Sequence, residues 1–289
     1  MNLRYLFIAA VMGLSSISAS AQEASNKSTV IVDFFYAGNG VRNNDLGWIN
    51  MLRNDIVNEL MNTGRVKVID AASMTKLQYS PQAYNESSEN SRLSTLRSNG
   101  ATYVVQGDVE YIDINRIRLD NSKDYVYDAR IGYNIRFIDA NTGELLGQTI
   151  ADPKDGSVHC STPQKSMESV TGRAATAMRR ILIDDISITG QVLELIDTKT
   201  TKRGEEAKTI AVNVGSDNGA TRGVKFDVYV THNIAGHKVS DKIGKVKITE
   251  VKGSDISYAQ VKDGGAAILE AIHNGVKLSI KSSKAGFWD

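Results

Sequence analysis

The stretch Ala101–Ile114, ATYVVQGDVEYIDI, leaves a chain few ways to fold. Val105, Gly107, Val109 and Tyr111 fall on one side of an extended backbone, and Gln106, Asp108 and Glu110 on the other. That period-two alternation predicts a strand with one buried and one wet face. Gly100 stands just before it, where a left-handed residue can end a helix. N-terminal to this strand the pattern alternates between strand and helix; C-terminal to it, hairpins take over.

Thr29–Phe35 is a β-branched and aromatic run, as expected of a strand covered on both faces. Asp45 is placed to cap a helix whose Ile49, Leu52, Ile56 and Leu60 keep helical spacing, with Arg53, Asn54, Asn58 and Asn62 on the wet side. Val66–Ile69 is the next strand, and Asp70 can cap Ala71–Leu77. A polar loop around Pro81 and a short helix over Ser91–Ser98 lead into the Ala101–Ile114 strand. Strand, helix, strand, helix, strand implies parallel pairing through right-handed crossovers. Tyr125–Ile138 and Glu144–Ala151 then form a hairpin across Asp139–Gly143. Gln164–Asp185 is a helix with Met167, Val170, Ala174, Ala177 and Ile181 on one face.

From Ile186 onward short β-like runs follow one another: Ile186–Ile196, Thr209–Val214, Lys225–Val230, Ile243–Val251 and Ile256–Val261. Ile268–Leu269 and Val276–Ile280 complete the set as expected strands, and Thr198–Ala207 is a charged hairpin tip. Strands at this spacing predict a small barrel. The expected class is therefore α/β (α+β), a mixed sheet flanked by helices plus a C-terminal all-β barrel. The expected divisions are a signal peptide at 1–21, a lead-in at 22–28, an α/β domain at 29–185, a barrel at 186–281 and a tail at 282–289.

The first residues give an address. Arg4, the apolar run Leu6–Leu14 and Ala19-Ser20-Ala21 make a secretory signal cleaved after Ala21, which places the mature chain in the periplasm. Gln22 follows the cleavage point where a lipoprotein would carry cysteine. The single cysteine, Cys160, has no internal partner for a disulfide. Losing Arg4 equalises the 34 basic residues with the 33 acidic ones, so no nucleic-acid footprint is present. No later apolar run is long enough to span a bilayer.

Four constellations invite chemistry. Gly215–Gly223, GSDNGATRG, has the glycines of a phosphate loop, yet a strand follows it rather than a helix, and a turn is the better reading. His159-Cys160, with His232, His237 or His273, falls short of the paired spacing of a zinc site. Asp108 and Glu110 could form a carboxylate pair but lack the one apolar, one wet setting of acid–base catalysis. None of these amounts to a catalytic, metal or cofactor site, and no enzymatic activity is expected. Phe287 and Trp288 in the tail, and Lys202 and Arg203 in the charged tip, are the candidate partner-binding residues.

Asp33-Phe34, Asn58-Glu59-Leu60, Thr63-Gly64-Arg65, Val66–Asp70, Gly100–Gly107 and Asp139–Glu144 together resemble the CsgG/TolB-N-type envelope domain, shared with the LpoB activators of penicillin-binding proteins. Val212–Gly215, Asp217-Asn218-Gly219, Arg222-Gly223 and Ile243–Val251 resemble the C-terminal barrel of FlgT-like flagellar envelope proteins. The resemblance implies a non-enzymatic envelope protein of the curli-assembly type, a protein-binding, assembly or secretion-support module. It leaves open a ring-forming secretion component or an activator of a peptidoglycan synthase, with a hydrolase the remotest reading. The implied partners are envelope or outer-membrane proteins, with self-association left open. The short, charged Asn115–Asp124 connection lacks the alternating apolar strands of a membrane barrel, so membrane insertion is not expected.

Overall fold

Strand β1 (Thr29–Gly40) is an inner strand of the first sheet, and both its faces are apolar: Val30 and Val32 point into one core and Ile31 into another. The computed structural model describes residues 27–74, 89–119, 124–151, 156, 159–202 and 204–284. The expected signal peptide, the loop around Pro81, Arg203, Phe287 and Trp288 lie outside the described residues.

Helix α1 (Leu46–Asn62) follows β1, then β2 (Lys67–Asp70), helix α2 (Glu89–Ser98), and strands β3 (Tyr103–Arg118), β4 (Tyr125–Asp139) and β5 (Leu145–Ile150). The sheet order is β2-β1-β3-β4-β5. β1 pairs in parallel with β2 and β3, and the β3–β4 and β4–β5 pairs are antiparallel, so the expected mixed sheet is present. Asp139 holds the β4–β5 turn, its Oδ1 accepting from Asn141 N at 2.7 Å and Thr142 N at 3.0 Å. Helix α3 (Pro163–Asp185) starts where Thr162 Oγ1 caps Lys165 N, and packs with α1 on one sheet face.

The principal core lies under those two helices: Leu52, Ile56, Val105, Ile135, Phe137, Met167, Met178 and Leu182 are fully or almost fully buried. On the opposite face α2 and a 3₁₀ turn at Ala71–Ser73 close a smaller cluster around Ile31, Leu96 and Val104. On the principal-core face Gly107 is needed, because a Cβ would sit 2.6 Å from the Phe35 ring that lies across it.

Several local expectations change. A bulge at Glu110 shifts the β3 register between Val109 and Tyr111, so Ile112, not Tyr111, follows Val109 into the core. The second β3 face is not wet throughout: Val104 is buried and Gln106 is 3% exposed. Arg53, expected on the wet side of α1, is also buried; it meets Asp70 at 3.4 Å and stacks over Phe34. Asp45 does not cap α1, since its carboxylate accepts from Arg42 Nε at 2.6 Å. On α3 the buried face runs through Met178 and Leu182 instead of Ala177 and Ile181. Asn115–Arg118, expected in a connection, continues β3 opposite Tyr125–Asp128.

Beyond α3 the chain forms a closed barrel, in the order β10-β7-β6-β11-β8-β9 with β9 pairing back to β10. Its strands are β6 (Thr189–Thr201), β7 (Gly204–Val212), β8 (Lys225–Ile234), β9 (His237–Val251), β10 (Ser257–Asp263) and β11 (Leu278–Ser282). Ile210, Phe226, Val228, Ile248 and Ile280 fill it. Ile268–Leu269 is helix rather than strand: α4 (Gly265–His273) plugs the barrel with both residues buried.

Candidate functional site

Two surfaces stand out. The first is the sheet face opposite α1 and α3. Registered pairing places Tyr36, Asp108, Asn134 and Ile150 in one row across β1, β3, β4 and β5. Tyr36 is 39% exposed and Ile150 59%, and no described helix covers this row. Arg136 stands beside it, its Nη2 3.4 Å from Asp108 Oδ2. The row mixes an aromatic ring, a branched apolar side chain and an ion pair, the composition of a protein-contact surface.

The second surface is where sheet and barrel meet. The α1–β2 turn carries Gly64 (φ +63) and Arg65, and abuts Gly219 (φ +76) at the end of a 3₁₀ turn, Ser216–Asn218. Arg65 Nη1 donates to Ile183 O and Ile186 O, both at 2.9 Å, tying this turn to the end of α3. Beside it opens a cavity of about 290 Å³ lined by Arg65, Arg179, Thr221, Arg222, Lys225 and Lys284, among others. Burial holds the Arg65 guanidinium below its usual pKa, with Asp184 opposing that shift and Arg179 adding to it. Arg179 Nε lies 2.9 Å from Glu59 Oε1, close enough for an ion pair but not aligned as a hydrogen bond.

Asp185 closes α3 near this junction. Its side chain is exposed, and partial desolvation, then the neighbouring Asp184, raises its pKa, with Lys284 opposing them. A carboxyl raised in the folded state contributes stability that is complete below its ordinary pKa and is lost as pH rises through the raised value. Asp185→Asn should therefore melt at a higher temperature than the parent at pH 7, with the gap closing in acid below the ordinary value of 3.8. Thermal melts across pH 3–8 check this; a gap that widens in acid would contradict it.

The constellations singled out in the sequence do not assemble. The bulge takes Glu110 out of the ladder, and Asp108 is engaged by Arg136. Cys160 makes a backbone bridge to Tyr127, whereas His232 and His237 lie on the β8–β9 hairpin. Among the described residues no three His, Cys, Asp or Glu side chains converge as a metal would require. Lys202 is exposed at the β6–β7 turn, where Lys199–Glu206 and Asp197–Lys208 pair across the strands. The Gly215–Gly223 loop is a strand-to-strand turn as expected, yet its Thr221, Arg222 and Gly223 line the junction cavity. No described helix is long and apolar enough to cross a membrane.

Among known proteins, no curated sequence matches the chain. Solved structures resemble part of it. The PelC dodecamer from Paraburkholderia phytofirmans is 17% identical over 54% of this chain and 91% of its own, with TM-score 0.32. A lipoprotein from Neisseria meningitidis is 14% identical over 43% of this chain and 80% of its own, at 0.31. The LpoB C-terminal domain from Salmonella enterica is 17% identical over 45% and 85%, at 0.26. The CsgG-type and FlgT-type likenesses rest on the sequence motifs alone. Residues 17–146, which include β1 through β4 and the start of β5, match the family model described as peptidoglycan-synthase activator LpoB.

Proposed function

We propose that this protein is a non-enzymatic component of the cell envelope that docks on a peptidoglycan synthase and raises its activity. The observation that carries this reading is the match of residues 17–146 to the synthase-activator family. It favours the activator reading over secretion support, for which only the curli-type motifs speak. The secretory leader expected at residues 1–21 supports a periplasmic address. Division into an α/β unit at 29–185 and a barrel unit at 186–281 belongs to the same proposal.

The contact surface assigned to the synthase is the Tyr36–Asp108–Asn134–Ile150 row, because it lies wholly on strands and offers exposed apolar groups around a paired charge. Aromatic anchors dominate binding energy at such surfaces. The mature chain added to the purified synthase of its own host should raise the rate of glycan polymerisation. Tyr36→Ala with Ile150→Ala should weaken that activation at least tenfold in half-maximal concentration, with the fold intact by circular dichroism. A synthase rate unchanged by saturating protein would overturn the activator reading. Full activation by the double variant would overturn the assigned face.

A further inference from the structure

The junction cavity is a concentration of cationic charge that the chain as a whole does not share. Arg65, Arg179, Arg222, Lys225 and Lys284 line it, and none of its lining residues is a carboxylate. The whole sequence carries only +1 formal charge, so this asymmetry is local. These cations come from distant places: the α1–β2 turn, α3, the loop before β8, the start of β8 and the residues after β11. The fold brings them together.

Some are spoken for. Arg65 spends Nη1 on two carbonyls and Arg179 faces Glu59, which leaves Nε and Nη2 of Arg65 without a bonding partner among the described residues. Arg222 and Lys284 are exposed; Lys284 lies close enough to Asp185 to oppose the rise in its pKa, and neither cation makes a hydrogen bond or a close ion pair among the described residues. The Gly223 amide already donates to Ile248 O, so the cavity offers side-chain forks and ammonium groups rather than a backbone cradle. Arg179 adds to the lowering of the Arg65 guanidinium while Asp184 opposes it more strongly, so an incoming anion meets two guanidinium groups whose neighbouring carboxylates are Asp184 and Glu59. Guanidinium forks match the oxygens of phosphate groups, and lysines add point charge.

We propose that this cavity binds a phosphate-class oxyanion, a pyrophosphate or phosphomonoester group. Its volume of about 290 Å³ is near the lower bound for small-molecule pockets, enough for a pyrophosphoryl group with part of whatever carries it. Arg222 and Lys284 form the open rim that meets the anion, and Arg65 and Arg179 form the floor. The site is independent of synthase activation, because the family match ends at residue 146 and three of the five cations lie in the barrel or after it.

Titration calorimetry of the mature chain with sodium pyrophosphate should show one saturable site per chain that weakens steeply as salt rises. Sodium acetate at equal ionic strength should bind at least tenfold more weakly. Arg222→Gln with Lys284→Gln should lower pyrophosphate affinity at least tenfold. Lys199→Gln with Lys262→Gln, which removes the same charge from a different surface pocket, should leave affinity unchanged. Flotation with phosphatidylcholine vesicles, with and without phosphatidic acid, separates the sources. Binding to acidic vesicles lost in the Arg222/Lys284 variant, without binding of the free ion, assigns the site to a lipid headgroup. Three results would overturn the proposal: no saturable binding of either probe, equal binding of acetate, or equal loss in both double variants. Synthase stimulation measured in the Arg222/Lys284 variant reports on the activator reading separately.

Discussion

Phe137→Ala should cost the sheet about 3–5 kcal/mol, the largest loss expected from any single truncation in that unit. Phe137 is fully buried, registers between Val105 on β3 and Gly147 on β5, and stacks on Tyr103 with ring centroids 5.3 Å apart. Gly147 has no side chain to fill the void, and Ile181, which lies across Gly147, is the neighbour able to close part of it, which sets the cost within that range. Against a typical domain stability of about 5–15 kcal/mol, a loss of this size lowers the melting transition by roughly 10 °C. The cluster around Phe137 shares no residue with the barrel core around Phe226 and Ile248. Calorimetry of the parent should accordingly show two transitions, and the substitution should move only one. If both shift together, the 29–185 and 186–281 units melt as a single cooperative body and the proposed division is wrong.

Why some of this was legible in the sequence follows from where the determining contacts lie. Ile49, Leu52, Ile56 and Leu60 announce α1 because their spacing is itself the cause of burial on one helix face. The parallel β1–β3 pairing follows from chain order and crossover handedness, which are also local constraints. The errors occur where a tertiary neighbour decides. Arg53 looks like a solvated residue until Asp70 and Phe34 are brought to it from separate strands. The Glu110 bulge depends on the partner strand, so alternation alone extends one residue too far. Ile268–Leu269 reads as a strand by its short apolar run, but Ala266, Ala267 and Ala271 around it are strong helix formers and were the signal available for α4. The junction cavity had no sequence signature. Its five cations are scattered from residue 65 to residue 284, and only the docking of the α1–β2 turn on the barrel's 3₁₀ turn gathers them.

That docking rests on Gly219, and its substitution gives the second large effect. Gly219 sits at φ +76, and a Cβ there would lie 2.8 Å from Gly64 C and Arg65 N and 2.9 Å from Gly64 O. All three are backbone atoms, which cannot swing aside as a side chain can. Gly275 provides the control: at φ +68 it has the same left-handed backbone, with nothing within 4 Å of its Cβ position. Gly275→Ala should therefore cost only the backbone term of about 1–2 kcal/mol. Gly219→Ala should cost that amount plus the collision, roughly 3 kcal/mol or more in total, unless the α1–β2 turn backs away from the barrel. Backing away strains the two Arg65 bonds to Ile183 O and Ile186 O and pulls Arg65 from the cavity floor. Urea denaturation should separate the two variants by at least about 1 kcal/mol, and pyrophosphate binding should fall in Gly219→Ala while persisting in Gly275→Ala. Equal costs and equal binding would mean that the glycine contact does not hold sheet and barrel in register.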